Sequence, residues 1–417
     1  MTVTSAPGPR RAAFAFVFIT VLLDMLAVGI IIPVLPQLVV DFMGGDTVQG
    51  AEIYGLFGTA WALMQFLFSP VQGSLSDRFG RRPVILLSNL GLGLDYLVMA
   101  MAPGWQWLFI GRVISGIASA SVSTAGAYIA DVTAPEKRAA AFGMLGAAFG
   151  IGFILGPGLG GLLGSIDPRL PFWAAAGLSL VNFTYGFFVL PESLPKDRRA
   201  RFDWRQANPL GALKLLASQP RLTGFATVYF LNTLAHVVLP STFVLYAGYR
   251  YQWGTVEVGA TLAGVGVATL IVQAGIIRRF VARYGERTAL YTGLAFGIAG
   301  FALSGLAPTG RIYVFAIPLL ALWGLANPAA QGLMTRLVGP TEQGRLQGAL
   351  SSVQGIASMI GPGLFTLTFA HFIDPAGPHL PGMPFLLAAA LLVLALLAAA
   401  RVVRATADLL GPRRSAA

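Results

Sequence analysis

The chain has 417 residues, of which 56% are hydrophobic and 11% charged, with a mean hydropathy of +0.72. A soluble chain carries about a quarter of its residues charged, so one water-soluble core is excluded and lipid must solvate much of the surface. The net charge of +11 does not point to nucleic acid, because Lys and Arg recur in short clusters between apolar runs and form no single patch. The absence of cysteine excludes disulfides and cysteine metal sites.

Arg10 and Arg11 precede the first apolar run, and no cleavage signal follows, so that run reads as a retained helix. Runs long enough to cross about 30 Å of hydrocarbon at about 1.5 Å per residue fall at 12–40, 52–75, 83–102, 106–130, 138–164 and 170–190. A polar stretch at 191–221 reads as a linker, and six further runs follow at 222–246, 256–281, 288–307, 311–337, 343–370 and 383–404. The expected fold is therefore all-α, with twelve membrane helices in two six-helix bundles, 1–190 and 222–417. With both termini inside, 24 of the 28 Lys and Arg fall on the cytoplasmic side. Arg169, Arg250 and Arg311 fall outside and Arg112 within a span, as the positive-inside rule requires.

Charge and polarity inside the spans mark candidate sites. Asp24 lies in span one, Asp95 in span three and Arg112 in span four. An ionised side chain at mid-bilayer costs about 2.5–3.5 kcal/mol on insertion scales, so these three need partners or water. Hydrocarbon favours the neutral form of an acid and a nearby guanidinium favours the carboxylate, a competition suited to carrying protons; a static ion pair that only orders the bundle is the other reading. Between spans two and three, Gly73-Ser74-Leu75-Ser76-Asp77-Arg78-Phe79-Gly80-Arg81-Arg82-Pro83 reads as a tight, water-facing turn. There Gly73 and Gly80 permit close approach, and Asp77 caps the next helix or pairs with arginines of a neighbouring span. Span five holds Gly143, Gly146, Gly150, Gly152, Gly156, Gly158, Gly160, Gly161 and Gly164, with Pro157 expected to bend the helix. No acid lies well inside spans seven to twelve; their polar residues are Asn232, His236, Gln273, Asn327, Gln331 and Gln354, which with nearby Phe and Trp would line a pocket for an amphipathic aromatic compound.

A shift of 205 positions lays Arg78-Phe79-Gly80 on Arg283-Tyr284-Gly285, Arg82 on Arg287, Pro135 on Pro340 and Gly156-Pro157-Gly158 on Gly361-Pro362-Gly363. That constant register describes two parallel repeats, with a substrate site expected between them near the midplane. In the second copy Ala282 replaces Asp77, so that copy is expected to lack the full charge set.

These features resemble the major facilitator superfamily. Gly152-x-x-x-Gly156-Pro157-x-x-Gly160-Gly161 resembles the antiporter motif of its drug exporters, and LLDMLAVGIIIPVLP, ALMQFLFSP, LDYLVMAMAP, FIGRVISG and GRLQGALSS resemble the tetracycline–proton antiporter group. The resemblance implies drug and proton handling at Asp24, Gln65, Asp95 and Arg112, an inner-gate latch at Gly73, Asp77, Arg78, Gly80, Arg81 and Arg82, and leak prevention by the span-five motif. It also implies differences: Gly297 stands where that group has an acid in span nine, and Thr269 where it has a histidine in span eight.

None of the three lysines, Lys137, Lys196 and Lys214, follows a glycine, so no phosphate loop is present to use ATP. No hydrolytic triad, metal cluster or cofactor loop is legible, and neither enzyme activity nor a cofactor is expected. The expected function is export of a small amphipathic compound in exchange for protons, by a monomer in a bacterial inner membrane. Uptake of a metabolite by symport and a non-transporting receptor or scaffold are the alternatives.

Overall fold

The computed structural model describes residues 9–119, 121–200, 211 and 213–405, and among them every regular element is helical. Of the linker expected at 191–221, residues 201–210 and 212 lie outside the described residues, as does the tail after Ala405. The first helices are α1 (Pro9–Ile31), α2 (Leu35–Phe42), α3 (Thr47–Phe79), α4 (Arg81–Ala100), α5 (Trp105–Ala118), α6 (Ser121–Val132), α7 (Arg138–Ile166) and α8 (Leu170–Val189). One turn, α9 (Leu213–Leu216), precedes α10 (Pro220–His236), α11 (Val238–Tyr251), α12 (Thr255–Ile271) and α13 (Ile277–Leu306). The last are α14 (Gly310–Val314), α15 (Ala316–Trp323), α16 (Ala326–Thr335), α17 (Gln343–Ile373) and α18 (Met383–Ala405).

Nine segments among the described residues are long and apolar enough to cross a membrane. One of them, Thr255–Leu306, has 52 residues. At about 1.5 Å per residue that is enough for two crossings, and it is divided at Gly285, whose φ of 80° no helix allows. With the 33-residue α3 and the α5–α6 stretch, the helices are consistent with the twelve crossings read from the sequence. Several breaks within crossings have a common cause. A proline ring collides with the carbonyl four residues earlier; His236 and Val314, where α10 and α14 end, lie four residues before Pro240 and Pro318, and Gly324, just after α15, lies four before Pro328. Pro70, Pro157 and Pro362 instead lie within continuous helices.

The chain forms two compact units. The first comprises residues 1–44, 60–208 and 253–266. In it α1 packs on α7 and α8, and α4 on α5, α6 and α8, around a core that includes Val17, Val21, Ile85, Tyr128, Ile129 and Leu190. The second comprises residues 45–59, 209–252 and 267–417. There α13 packs on α15, α16 and α18, and α10 on α16, α17 and α18. Tyr246 ties the far end of α11 into this unit, donating to the Ser304 carbonyl at 3.0 Å and meeting Phe385 edge-on at 4.9 Å.

The seat of α7 explains much of its glycine content. Gly152, Gly156 and Gly160 recur every four residues and so share one face. A Cβ on Gly152 would come within 2.5 Å of Met25 Cβ, and one on Gly156 within 2.7 Å of Gly29 Cα; at Gly160 it would collide with the Ile30 carbonyl. The helix therefore lies backbone to backbone on α1. On another face, Gly161 abuts Thr255 and Gly259, and the Thr255 hydroxyl donates to the Gly161 carbonyl at 2.9 Å. Gly143, Gly146 and Gly150 have open space around them, so packing does not account for them. The bend expected at Pro157 does not interrupt α7, which runs unbroken from Arg138 to Ile166. Because backbone cannot yield as a flexible side chain can, Gly156→Val is expected to lower stability by about 1–3 kcal/mol, while Gly146→Ala leaves it unchanged. Thermal unfolding of the detergent-solubilised variants checks this.

Candidate functional site

In the first unit the buried polar residues gather on α1, α4, α5 and α8. Asp24 is 3% exposed on α1 and accepts from Asn182 Nδ2 of α8 at 3.0 Å; the same amide nitrogen donates to the Thr20 carbonyl at 3.1 Å. Asp95 is fully buried on α4, and neither of its carboxylate oxygens has a hydrogen-bond partner. Its Oδ1 lies against Gly111 of α5, where a Cβ would come within 2.5 Å of it. Glycine at 111 thus lets the acid reach the α5 backbone one residue from Arg112. The Arg112 guanidinium lies 5.3 Å from the Trp61 ring centroid and forms no ion pair within 4.0 Å among the described residues. Gln65 lies one turn beyond Trp61 on α3 and is half-buried.

These groups share one electrostatic neighbourhood. The hydroxyl of fully buried Tyr96 feels Asp95, Arg112 and Asp24 and has no hydrogen-bond partner. Asn89, also on α4, has both amide atoms unpaired, and so are Thr20 Oγ1, Ser179 Oγ and Asn182 Oδ1. These atoms find no protein partner among the described residues, and each is a polar group held inside an apolar bundle. Sequence reasoning missed Asn182, Asn89 and Tyr96. The signal for both asparagines was present, since each is a polar residue inside an otherwise apolar run.

The loop between α3 and α4 is tighter than expected. Helix α3 continues through Gly73, Ser76 and Asp77 to Phe79, and Gly80 alone makes the break with φ 108°. Gly73 is helical and nothing lies near its missing Cβ, so the turn and close approach assigned to it are corrected. Asp77 does not cap α4, but from the end of α3 it reaches the first residue of that next helix. It pairs with Arg81 at 2.5 Å, and Arg81 carries the long-range contact, to Asp131 at the end of α6 at 3.2 Å. The α4 N-terminus is capped by Glu192, whose Oε1 accepts from Arg81 N at 2.9 Å and whose Oε2 lies 3.8 Å from Arg199. A carboxylate there meets the orphan amides and the positive end of the helix. The start of the expected linker is stitched to this loop: Ser193 donates to Asp131 at 3.1 Å, and Ala200 N to the Asp77 carbonyl at 3.1 Å. Arg82 donates to the Phe187 carbonyl at 2.6 Å, while Arg78 lies over Phe79.

The second repeat keeps this arrangement with its charges exchanged. Gly285 repeats the positive φ of Gly80, at 80° against 108°. Glu286 stands at the position of Arg81 and Arg336 at that of Asp131, and they pair at 2.9 Å. The Pro135–Lys137 and Pro340–Glu342 turns correspond, and Arg138 and Gln343 donate to the matching carbonyls of Ala130 and Thr335, each at 2.9 Å. The second copy, lacking an acid at Ala282, therefore retains an ion pair.

The second unit brings together Asn232, His236 and Asn327 and leaves other expected residues apart. Asn232 Nδ2 donates to Asn327 Oδ1 at 2.8 Å, and Trp323 Nε1 donates to Asn232 Oδ1 at 2.7 Å. The exposed His236 ring lies 5.5 Å from that indole. Gln331 lies against Tyr229. Gln273, on a wide helical turn at Val272–Ile276, and Gln354 are exposed and stand outside this cluster.

A Major Facilitator Superfamily model matches residues 17–362. The chain belongs to the major facilitator superfamily and is a multi-pass membrane protein. It is 38% identical over 351 residues, 84% of this chain and 88% of the relative, to the "Tetracycline resistance protein, class C" of Escherichia coli. It is 37% identical over 355 residues, 84% of this chain and 86% of the relative, to the class B protein of the same organism. Among solved structures it is similar to the human organic anion transporter MFSD10 (TETRAN), with a TM-score of 0.68, 26% identity and coverage of 94% of this chain and 100% of that one. The nucleoside transporter NupG has a TM-score of 0.78 at 14% identity, covering 94% and 99%, a likeness of fold.

The exchanged pair in the second repeat implies that contact matters more than polarity. Arg81→Asp and Asp131→Arg are each expected to destabilise the first unit by roughly 1–3 kcal/mol, between the limits for exposed and buried pairs. The double variant is expected to recover most of that loss in thermal unfolding when Asp77→Ala is added, because Asp77 would otherwise face the new acid and the second copy has Ala282 there.

Proposed function

We propose that the chain is a proton-coupled antiporter that exports a small amphipathic compound by alternating access. It works as a monomer of two six-helix bundles, 1–190 and 222–417, joined by the linker 191–221. It sits in a bacterial inner membrane with both termini inside, and carries out no enzymatic reaction. One observation carries this reading: Asp24 and Asp95 are both buried in the first unit, within electrostatic range of the Tyr96 hydroxyl and, with it, of Arg112. The similarity to tetracycline resistance proteins supports export as the direction.

The chemistry follows from the charges. An ionised Asp95 calls for a nearby cation, and Arg112 supplies it; a protonated Asp95 calls for none. Arg112 therefore leans toward the acid in one state and is held by Trp61 in the other, and the arrangement with Trp61 is the one observed. Asn182 holds Asp24 in place through this exchange. Arg81, with Asp77 and Asp131, latches the inner end of the first unit and releases as the bundles rock; Gly73, Arg78, Gly80 and Arg82 shape and anchor that latch. Gly152, Gly156, Pro157, Gly160 and Gly161 keep α7 sealed against its neighbours. One charge crossing 100 mV supplies roughly 2.3 kcal/mol, close to fiftyfold accumulation per proton.

The cargo need not be tetracycline. A Cβ at Gly297 would come within 2.6 Å of Trp323 and Leu392, so the acid that the resemblance places there would have to displace both.

Asp24→Asn and Asp95→Asn are each expected to abolish proton-driven uptake of substrate into inverted vesicles, with the amount of folded protein in the membrane unchanged. Coupling at the wild-type level in both variants contradicts the assignment. In intact cells, a protonophore is expected to raise the amount of retained compound; a fall would indicate uptake.

A further inference from the structure

In the second unit a single donor sets the direction of a hydrogen-bond chain. An indole N–H can only donate, so Trp323 obliges Asn232 to present its oxygen. Asn232 must then offer its amide nitrogen to Asn327, which accepts through Oδ1. Asn327 then keeps its NH2 group beyond that bond, with one acceptor position of Oδ1 also open. Among the described residues that NH2 makes no hydrogen bond, and the side chain is half-buried. Flipping Asn232 strands the indole N–H, and flipping Asn327 alone sets two amide nitrogens face to face.

The indole itself is held in place. Phe301 packs against it at 5.0 Å with planes 70° apart, and Gly297 provides the space it fills. Its remaining aromatic neighbour is His236, 5.5 Å away with planes 35° apart and exposed. Asn232 and His236 are four residues apart on α10, as are Trp323 and Asn327 across the break before α16, so two pairs face each other. Both pairs sit where a proline breaks the helix, the kind of discontinuity that lines transport sites. Of the acids in the described part of this unit, Asp46 accepts from Val48 N and Gln49 N at the start of α3, Glu52 is exposed on α3, Glu286 is paired with Arg336, and Glu342 and Asp374 lie at the two ends of α17. None accompanies this cluster, so it offers no fixed negative charge to a cation.

Resting on the reading of the chain as an exporter, we propose that this cluster binds the uncharged, planar end of the cargo. A conjugated ring lies on His236, and a carbonyl-type oxygen on that ring accepts from Asn327 Nδ2. The recognised class is a planar aromatic ketone or quinone, distinguished from equally flat compounds that lack the acceptor.

The test is equilibrium binding to the purified full-length protein in detergent, with no gradient applied, so the result does not depend on proton coupling. The probes are acridone, a neutral planar ring ketone, and carbazole, an equally flat N–H tricycle without the carbonyl. Wild type is expected to prefer acridone about tenfold, the size of one neutral hydrogen bond. Asn327→Ala and Asn327→Asp should each abolish the preference; the second keeps the side-chain size and the Oδ1 acceptor. Trp323→Phe should do the same by freeing the amides to flip, whereas His236→Ala should weaken both probes alike. Equal binding of the two probes by wild type, binding of neither, or a preference that survives in Asn327→Asp overturns the proposal. Loss of proton coupling in vesicles with the probe preference intact would instead fail the export reading alone.

Discussion

The structure depends on how a few charges are kept inside an apolar bundle. Asp95 is fully enclosed with no hydrogen bond to either oxygen, and Asp24 is nearly enclosed beside Asn182. Hydrocarbon does not tolerate an isolated charge, so the charge on these acids and the position of Arg112 cannot vary independently. In the proposed function, that linkage makes a buried carboxyl a means of coupling. The Arg112 guanidinium rests over Trp61.

Around that site the fold is built for helices to lie close and stay aligned. Gly152, Gly156 and Gly160 seat α7 on α1, the helix that carries Asp24, with backbone against backbone. The ion pairs beside Gly80 and Gly285 do a related job at the ends of helices. Their exchanged polarity, Arg81 with Asp131 and Glu286 with Arg336, shows that the repeat preserves a contact between two positions while the residues supplying it have diverged.

Much of this was legible in the chain because charge is rare in it. Asp24, Asp95 and Arg112 stand out in apolar runs, and clustered Lys and Arg mark the loops, so the fold and the first-half acids could be read directly. Partnerships were less legible. Glu192 caps α4 from 111 residues away, and nothing local announces it. The second ion pair was overlooked because its charges are reversed, so a comparison of residue types at Ala282 missed a conserved geometry nearby. Gly73 looked like a turn because it adjoins the charged run, yet the run itself is helical up to Gly80. Trp323 carried no contrast among apolar neighbours; only its donor bond to Asn232 gives it a role.

The most direct test of the account measures the protons themselves. Purified protein is reconstituted into liposomes with an acidic interior and a trapped pH-sensitive dye, and transported compound is added outside. Exchange predicts that the interior becomes more alkaline in a saturable, compound-dependent way as each incoming molecule releases protons. Entry of the compound with no change in internal pH would contradict the claim that these buried carboxyls couple the two movements.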